Sequence, residues 1–293
     1  MRILFIGSVS FSAMALRKLI EMQAKVVGVC TLKESEFNSD HEDLTPIAEK
    51  AGIPVCYTPK VNSTKSLAWI CDLKPDVIFC FGWSHLIHSP LLRLPQLGVI
   101  GFHPAALPEN RGRHPLIWAL VLGLKETASS FFFMDEGADS GDLLSQVIVP
   151  IDPKDDARSL YRRVIDTAME QLEEFVPRLA LGEIKRSPQD HKLANTWRKR
   201  NVEDGCIDWR MAAENIHNLV RGLTWPYIGA HFEYAEQKIK VWKTAVEHGA
   251  PVNLEPGKVL AVDNRSVLIK TGDGAIRLLD YAPKIHLKPG DYL

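Results

Sequence analysis

The sequence predicts an α/β protein. Its main part is a Rossmann-like, mostly parallel sheet with flanking helices, and a small C-terminal domain is mainly β and OB-like. Three observations predict this. Strand-length apolar runs alternate with helix-spaced segments as far as Leu181. A polar stretch, IKRSPQDHKLAN, then breaks the pattern. Short alternating runs separated by turn signals fill the remainder.

The elements follow in order. Arg2 to Ile6 is a short apolar strand that Gly7 ends. Ser12 to Met22 places Met14, Leu16, Leu19 and Ile20 at helical spacing. Lys25 to Thr31 is the second strand. In LTPIAEKAG, Thr45 suits an N-cap, Pro46 the first helical position and Gly52 the end. Ile53 to Tyr57 is strand-like and Thr64 to Leu73 helix-like. Asp76 to Phe81 and Gly98 to His103 are buried strands. Pro115 and Gly123 bracket a helix. Ser129 to Met134 and Leu143 to Ile151 are strands, and Asp156 to Leu181 is a long amphipathic helix. Beyond the break, Met211 to Leu223 is one more helix. Runs at Ala230 to Tyr234, Lys238 to Val246, Lys258 to Val262, Ser266 to Thr271 and Ala275 to Ala282 make a small antiparallel sheet or open barrel, with turns at Asp263 to Arg265 and Gly272 to Gly274. The expected domains are 1–185 and 204–293, joined by a linker at 186–203.

Composition excludes several classes. The chain has 293 residues, 46% hydrophobic and 24% charged, with formal net charge -1. That gives no global electrostatic case for nucleic acid or an anionic membrane. No apolar run approaches the roughly 18 residues of a membrane span. MRILFIGSVSF is too short and too soon turn-like for a secretory signal. Five cysteines without a CxxC pair read as a reducing, cytoplasmic setting, with Cys30 and Cys80 as small buried hydrophobes. Ten histidines show no ligand spacing, so no metal is expected.

Four stretches could carry chemistry. FIGSVSFS, Phe5 to Ser12, has one glycine where a dinucleotide fingerprint needs three, leaving backbone N–H groups and the Ser10 and Ser12 hydroxyls as ligand contacts. GFHPAALPENRGR ends a buried strand on His103, and Pro104 stops the ladder. Ligands in open α/β sheets bind at the carboxyl ends of strands, so His103 is either a site residue or a core histidine bonded to backbone. Arg111 and Arg113 beside it suit an anionic substrate, or are solvated. FFFMDEGADSGD ends an apolar strand in a loop with Asp135, Glu136, Asp139 and Asp142. One of these acids would orient the imidazole if the two strand ends are neighbours; acids beside glycines are otherwise turn formers. CFGWSHLI, Cys80 to Ile87, is an aromatic loop that either packs the core or lines a pocket for a planar ligand.

In this order the pieces resemble the folate-dependent formyltransferases, whose pattern is Asn-x-His, Leu-Pro, Arg-Gly and a later Asp-x-Gly loop. DGCIDW at Asp204 to Trp209 and VRGLTWPYIGA at Val220 to Ala230 resemble the second-domain signature of the family. The resemblance implies 10-formyltetrahydrofolate as the formyl donor, no metal, and a primary amine as acceptor. It places the catalytic histidine at His103 and the catalytic aspartate at Asp139. The folate would be held by Phe81, Gly82, Trp83, Ser84, His85 and Leu86 and by Asp135, Gly137 and Ala138. Ser10, Arg111, Arg113, Arg221 and Tyr227 are the substrate-binding candidates. One position departs: the family asparagine, a donor to the developing oxyanion, falls on Gly101.

From Ala194 to Leu293 there are 14 Lys and Arg against 12 Asp and Glu. That is weak for RNA, where phosphate neutralisation dominates. The expected acceptor is therefore a nucleotide-linked amino sugar, a UDP-4-amino-4,6-dideoxy sugar destined for a surface glycan. No nucleic acid and no membrane are expected as partners, and a homodimer is the candidate assembly. The alternatives are a methionyl-tRNA formyltransferase, or a weakly active or non-catalytic binder of folate or nucleotide sugar.

Overall fold

A computed structural model describes residues 1–35, 40–263 and 266–293. Part of the Asp263 to Arg265 turn therefore lies outside the described residues. Packing divides the chain into two compact units that interleave along the sequence. One takes Met1–Gly112, Ala128–Val149 and Arg163–Thr196, and the other Arg113–Thr127, Pro150–Arg162 and Trp197–Leu293. A division at a 186–203 linker would follow sequence position; these units follow contacts.

The first unit is built on a seven-stranded sheet. Its strands are β1 (Ile3–Ile6), β2 (Val26–Thr31), β3 (Val55–Tyr57), β4 (Val77–Cys80), β5 (Val99–His103), β7 (Glu126–Phe133) and β8 (Leu143–Pro150), in the order β3-β2-β1-β4-β5-β7-β8. A two-residue strand, β6 (Arg111–Gly112), pairs instead with β9 (Thr196–Trp197). The pairs β1–β2, β1–β4, β2–β3 and β4–β5 are parallel, and β5–β7 is antiparallel. β1 and β4 are buried along their whole length, which explains their continuous apolar runs. Helices α1 (Ser10–Glu21), α2 (Thr45–Lys50), α3 (Thr64–Asp72) and α4 (Ser89–Leu92) follow the early strands, and α6 (Ala157–Leu181) is the long helix. Ser63 caps α3 by accepting from the Ser66 N–H at 3.3 Å. One core cluster joins Leu4, Ile6, Cys30, Ile78 and Cys80 on the sheet to Ile70 of α3, and Trp83 packs against it.

The second unit holds a five-stranded antiparallel sheet. Its strands are β10 (Ala230–Tyr234), β11 (Gln237–Glu247), β12 (Val259–Val262), β13 (Val267–Lys270) and β14 (Ala275–Ala282), in the order β10-β11-β14-β13-β12. Helix α7 (Ala213–Leu223) packs on this sheet through Ile216, Leu219 and Val220, and also against α5 (Pro115–Val121). Gly222 permits that second contact: a Cβ there would lie 3.2 Å from Val121 Cγ2. Among the described residues, no helix is long and apolar enough to cross a membrane, and no group of three or more acids, cysteines and histidines could hold a metal ion.

Candidate active site

His103 ends β5, buried, with its side chain 6% exposed. Its Nε2 lies 2.8 Å from the Asn110 carbonyl oxygen. A carbonyl can only accept, so the neutral ring carries its proton on Nε2. The lone pair is then on Nδ1, which lies 3.6 Å from Asp139 Oδ2. The tautomer follows from the backbone partner. Nδ1 is thus the atom that can take a proton, and a carboxylate faces the resulting positive charge.

β7 runs antiparallel to β5, so the end of β7 does not adjoin His103 directly. Phe133 pairs with Ile100, and Ser130 pairs with His103. The loop 134–142 folds back to return Asp139 to the imidazole. Asp139 sits at φ 54, in the left-handed region that Asp tolerates better than most residues. Its Oδ2 accepts from the Gly112 N–H at 3.0 Å.

The stretch expected to be a linker holds these loops. The Gln189 side chain donates from Nε2 to the carbonyls of Asp139 (2.9 Å) and Gly141 (2.6 Å). Its Oε1 accepts from Arg111 Nη2 at 2.6 Å. Asn195 Oδ1 accepts from the Asn110 N–H at 2.6 Å, and the Asn195 carbonyl accepts from the Arg111 N–H at 3.1 Å. Gln189 is buried, so its loss would leave buried carbonyls unpaired, at about 1–3 kcal/mol each. Sequence reasoning, which offers Asn110 only among possible oxyanion donors, missed Gln189, Asn195 and the contact of the Asn110 carbonyl with His103. The available signal was a pair of amide side chains in a segment with no periodicity.

Other expected positions differ in character. Arg111 is buried, with Nη2 on Gln189 and 3.1 Å from His191 Nδ1; it braces the loop rather than facing solvent. Gly101 lies opposite Phe132 in the register. A Cβ there would come within 2.9 Å of Phe132 Cζ and 3.0 Å of Met134 Cγ, so the side-chain slot is already filled by apolar groups. The Ser12 hydroxyl is buried and donates to the Phe81 carbonyl at 2.5 Å. Ser10 donates from its N–H to the Asp40 carbonyl at 2.9 Å. Gly7 therefore serves close packing of two turns, because a Cβ there would run into Phe81 and Ser12.

Phe81 is buried, Gly82 takes φ 66, and His85 and Leu86 are exposed. Trp83 and Ser84 lie between these extremes. The loop is tied down by Asn62, which donates to the Leu86 carbonyl and accepts from the His88 N–H. Trp83 Nε1 is buried with no hydrogen-bond partner among the described residues. Asp135 accepts from the Gly137 N–H and the Ser140 hydroxyl, a turn-forming role, and Gly137 and Ala138 are exposed. Arg113, Arg221 and Tyr227 belong to the second unit. There, Arg221 is held on the carbonyls of Asp152 and Asp155. Burial pushes the Cys80 thiol up to about 12, so it is inert.

The family model described as "Formyl transferase" matches residues 1–176, and "Formyl transferase, C-terminal domain" matches 199–290. A methionyl-tRNA formyltransferase of Citrifermentans bemidjiense is 34% identical over 299 residues, covering all of this chain and 93% of its own. That of Bacillus subtilis is 32% identical over 312 residues, covering all of this chain and 97% of its own. Among solved structures, an N-formyltransferase of Helicobacter canadensis, in complex with folinic acid and dTDP-3-aminofucose, superposes with TM-score 0.73 at 17% identity, over 94% of this chain and 98% of its own. HypX of Aquifex aeolicus, in complex with tetrahydrofolic acid, superposes with TM-score 0.66 at 22% identity, over 95% of this chain and 43% of its own. Identities at that level speak for the fold alone.

Proposed function

The chain belongs to the formyl transferase family, and on that premise we propose that it moves a formyl group from 10-formyltetrahydrofolate to a primary amine. The observation that carries this reading is the His103–Asp139 pair, with its proton-accepting nitrogen fixed by Asn110. An attacking amine must lose a proton as its new bond to carbon forms. His103 Nδ1 takes that proton, Asp139, 3.6 Å away, offsets the charge on the imidazolium, and the ring returns the proton to the folate nitrogen as its bond to the formyl carbon breaks.

The folate supplies the activated formyl group when bound. The residues present fit it: the loop at 81–86 carries a buried indole N–H without a partner among the described residues, and the loop at 135–138 is exposed. Phe81 to Leu86, with Asp135, Gly137 and Ala138, would hold it. Gly101 cannot supply a side-chain donor, and Phe132 and Met134 occupy the slot. The Asn110 side-chain amide takes that role in this reading. Its backbone is already fixed on both sides, by His103 and Asn195, at φ 63.

Full-length identity to methionyl-tRNA formyltransferases supports the amine of methionyl-tRNA as acceptor, ahead of the amino sugar expected from charge. The sugar remains the second reading. It is favoured by the near-balance of charge from Ala194 to Leu293 and by the fold shared with the dTDP-3-aminofucose-bound enzyme. The test is direct. The protein is incubated with 10-formyltetrahydrofolate and either charged initiator tRNA or a panel of UDP-, dTDP- and GDP-linked amino sugars. Formylmethionyl-tRNA supports the first reading. Transfer only to a sugar moves the acceptor. No transfer to any amine overturns the enzyme and leaves a folate binder.

A further inference from the structure

A second site lies in the other unit. Pro153 to Asp156, α7, the Thr224–Trp225 turn and the Trp242–Ala245 part of β11 enclose a cleft of about 440 Å³. That volume is ordinary for a small-molecule site. His103 and Asp139 are not among its lining residues.

Three observations define what it would take. Arg221 is half-buried, and it is held by Asn218 Oδ1 (2.8 Å) and the carbonyls of Asp155 (3.0 Å) and Asp152 (3.3 Å). None of these bonds uses Nη2, and no described carboxylate lies within ion-pair distance of the guanidinium. Asp155 and Glu214 act on it only through space, so a partly desolvated cation keeps an Nη2 group for an incoming anion. Two indoles also line the cleft. Trp225 is 65% exposed, and Trp242 is fixed against Gly229, where a Cβ would lie 2.9 Å from its Nε1. Exposed aromatic faces in a cleft suit a flat ring.

The carboxylates lining the cleft are engaged in hydrogen bonds or faced by other groups. Asp155 accepts from the Asp152 N–H and the Ser159 hydroxyl. Asp156 accepts from the N–H groups of Arg158 and Ser159 at the start of α6. Asp280 stands opposite Lys243 in the β11–β14 register, and Lys154 is exposed on the rim. Burial holds Arg221 below its ordinary value, and the Asp155 and Glu214 carboxylates offset part of that.

We infer that this cleft binds a nucleoside phosphate, with the base on the indoles and the phosphate on Arg221. The ligand would be a free nucleotide or the end of an RNA chain, which share this chemistry.

The full-length protein is photolabelled with 5-azido-UDP and the modified peptides are mapped. Saturable labelling is expected on peptides carrying Trp225 or Trp242. Trp225→Ala and Arg221→Gln should each cut it at least 10-fold, and His103→Asn should leave it intact. Trp225 is exposed, so its variant keeps the test valid if Arg221→Gln fails to fold. UDP should compete at least 10-fold better than uridine or pyrophosphate alone. An RNA trinucleotide ending in CCA that competes better than UDP makes RNA the source; the reverse makes it a free nucleotide. Labelling that is absent from these peptides, or indifferent to both variants, overturns the site. No formyl donor is present, so the result is independent of the transfer reaction.

Discussion

The His103 pair and the Arg221 cleft treat buried charge in opposite ways. In the first unit, both ring nitrogens of His103 face groups supplied by the chain, and Gln189 and Asn195 hold the loops that supply them. In the second, a half-buried guanidinium rests on neutral carbonyls with no direct ion pair among the described residues. A site that performs chemistry gains from fixing its charges before substrate arrives. A site that only binds gains from leaving a charge for the ligand to meet. Substitutions should therefore affect turnover in the first unit and affinity in the second.

The largest effect tests that contrast at its centre. His103→Asn and Asp139→Asn should each lower kcat by about 10²- to 10⁴-fold, with the circular dichroism spectrum unchanged. Near-normal turnover in both would end the assignment. Next is Asn110→Gly, which keeps the left-handed backbone but removes the amide. Loss of an oxyanion donor predicts a fall of about 10²- to 10³-fold in kcat; an unaffected rate places the donor elsewhere.

Gln189→Ala should reduce kcat by about 10- to 100-fold while KM barely moves, because it displaces the loops rather than a binding contact. Amide exchange at Gly112, which donates to Asp139, should quicken in the same variant. Slow exchange there would show that Gln189 does not position the aspartate. Gly101→Asn should cost about 1–3 kcal/mol in urea unfolding, because Phe132 and Met134 fill the slot. Trimming Phe132 to Val in the same chain should recover part of that.

The smallest effect belongs to the second unit. His231 is buried, and burial holds its imidazole below the ordinary value. An unfolded histidine titrates near about pH 6.5. As pH falls, the unfolded chain takes up the proton first. The contribution of His231 is therefore complete above about pH 6.5 and is lost as pH drops below it. The thermal midpoint should fall between about pH 7 and about pH 5, and fall less in His231→Gln. Equal slopes would assign the acid sensitivity to other groups.

The sheet and the antiparallel domain were legible because burial on two faces writes continuous apolar runs, and burial on one face writes alternation. β4 and β14 are instances of each. The position of His103 was legible for a related reason: a polar residue ending such a run needs an explanation. The clasp was not. Gln189 reaches loops 48 and 50 residues away through single hydrogen bonds, and contacts of that kind leave no period in a sequence. Arg111 misled because a cation beside a candidate site reads as a ligand contact, whereas its partner amide lies 78 residues along the chain. Gly101 showed only an absent donor; the register opposite Phe132 supplied the reason.

The clasp also bears on synthesis. Asn110 meets Asn195 across 85 residues. At about 5–20 residues per second, a ribosome needs roughly 4–17 s to make that interval. For the last 56 of those residues, roughly 3–11 s, His103 and Asp139 have both been translated, but the segment that brings their loops into register has not. A nascent chain therefore carries the His103–Asp139 pair before its clasp exists, and the site is completed late in translation.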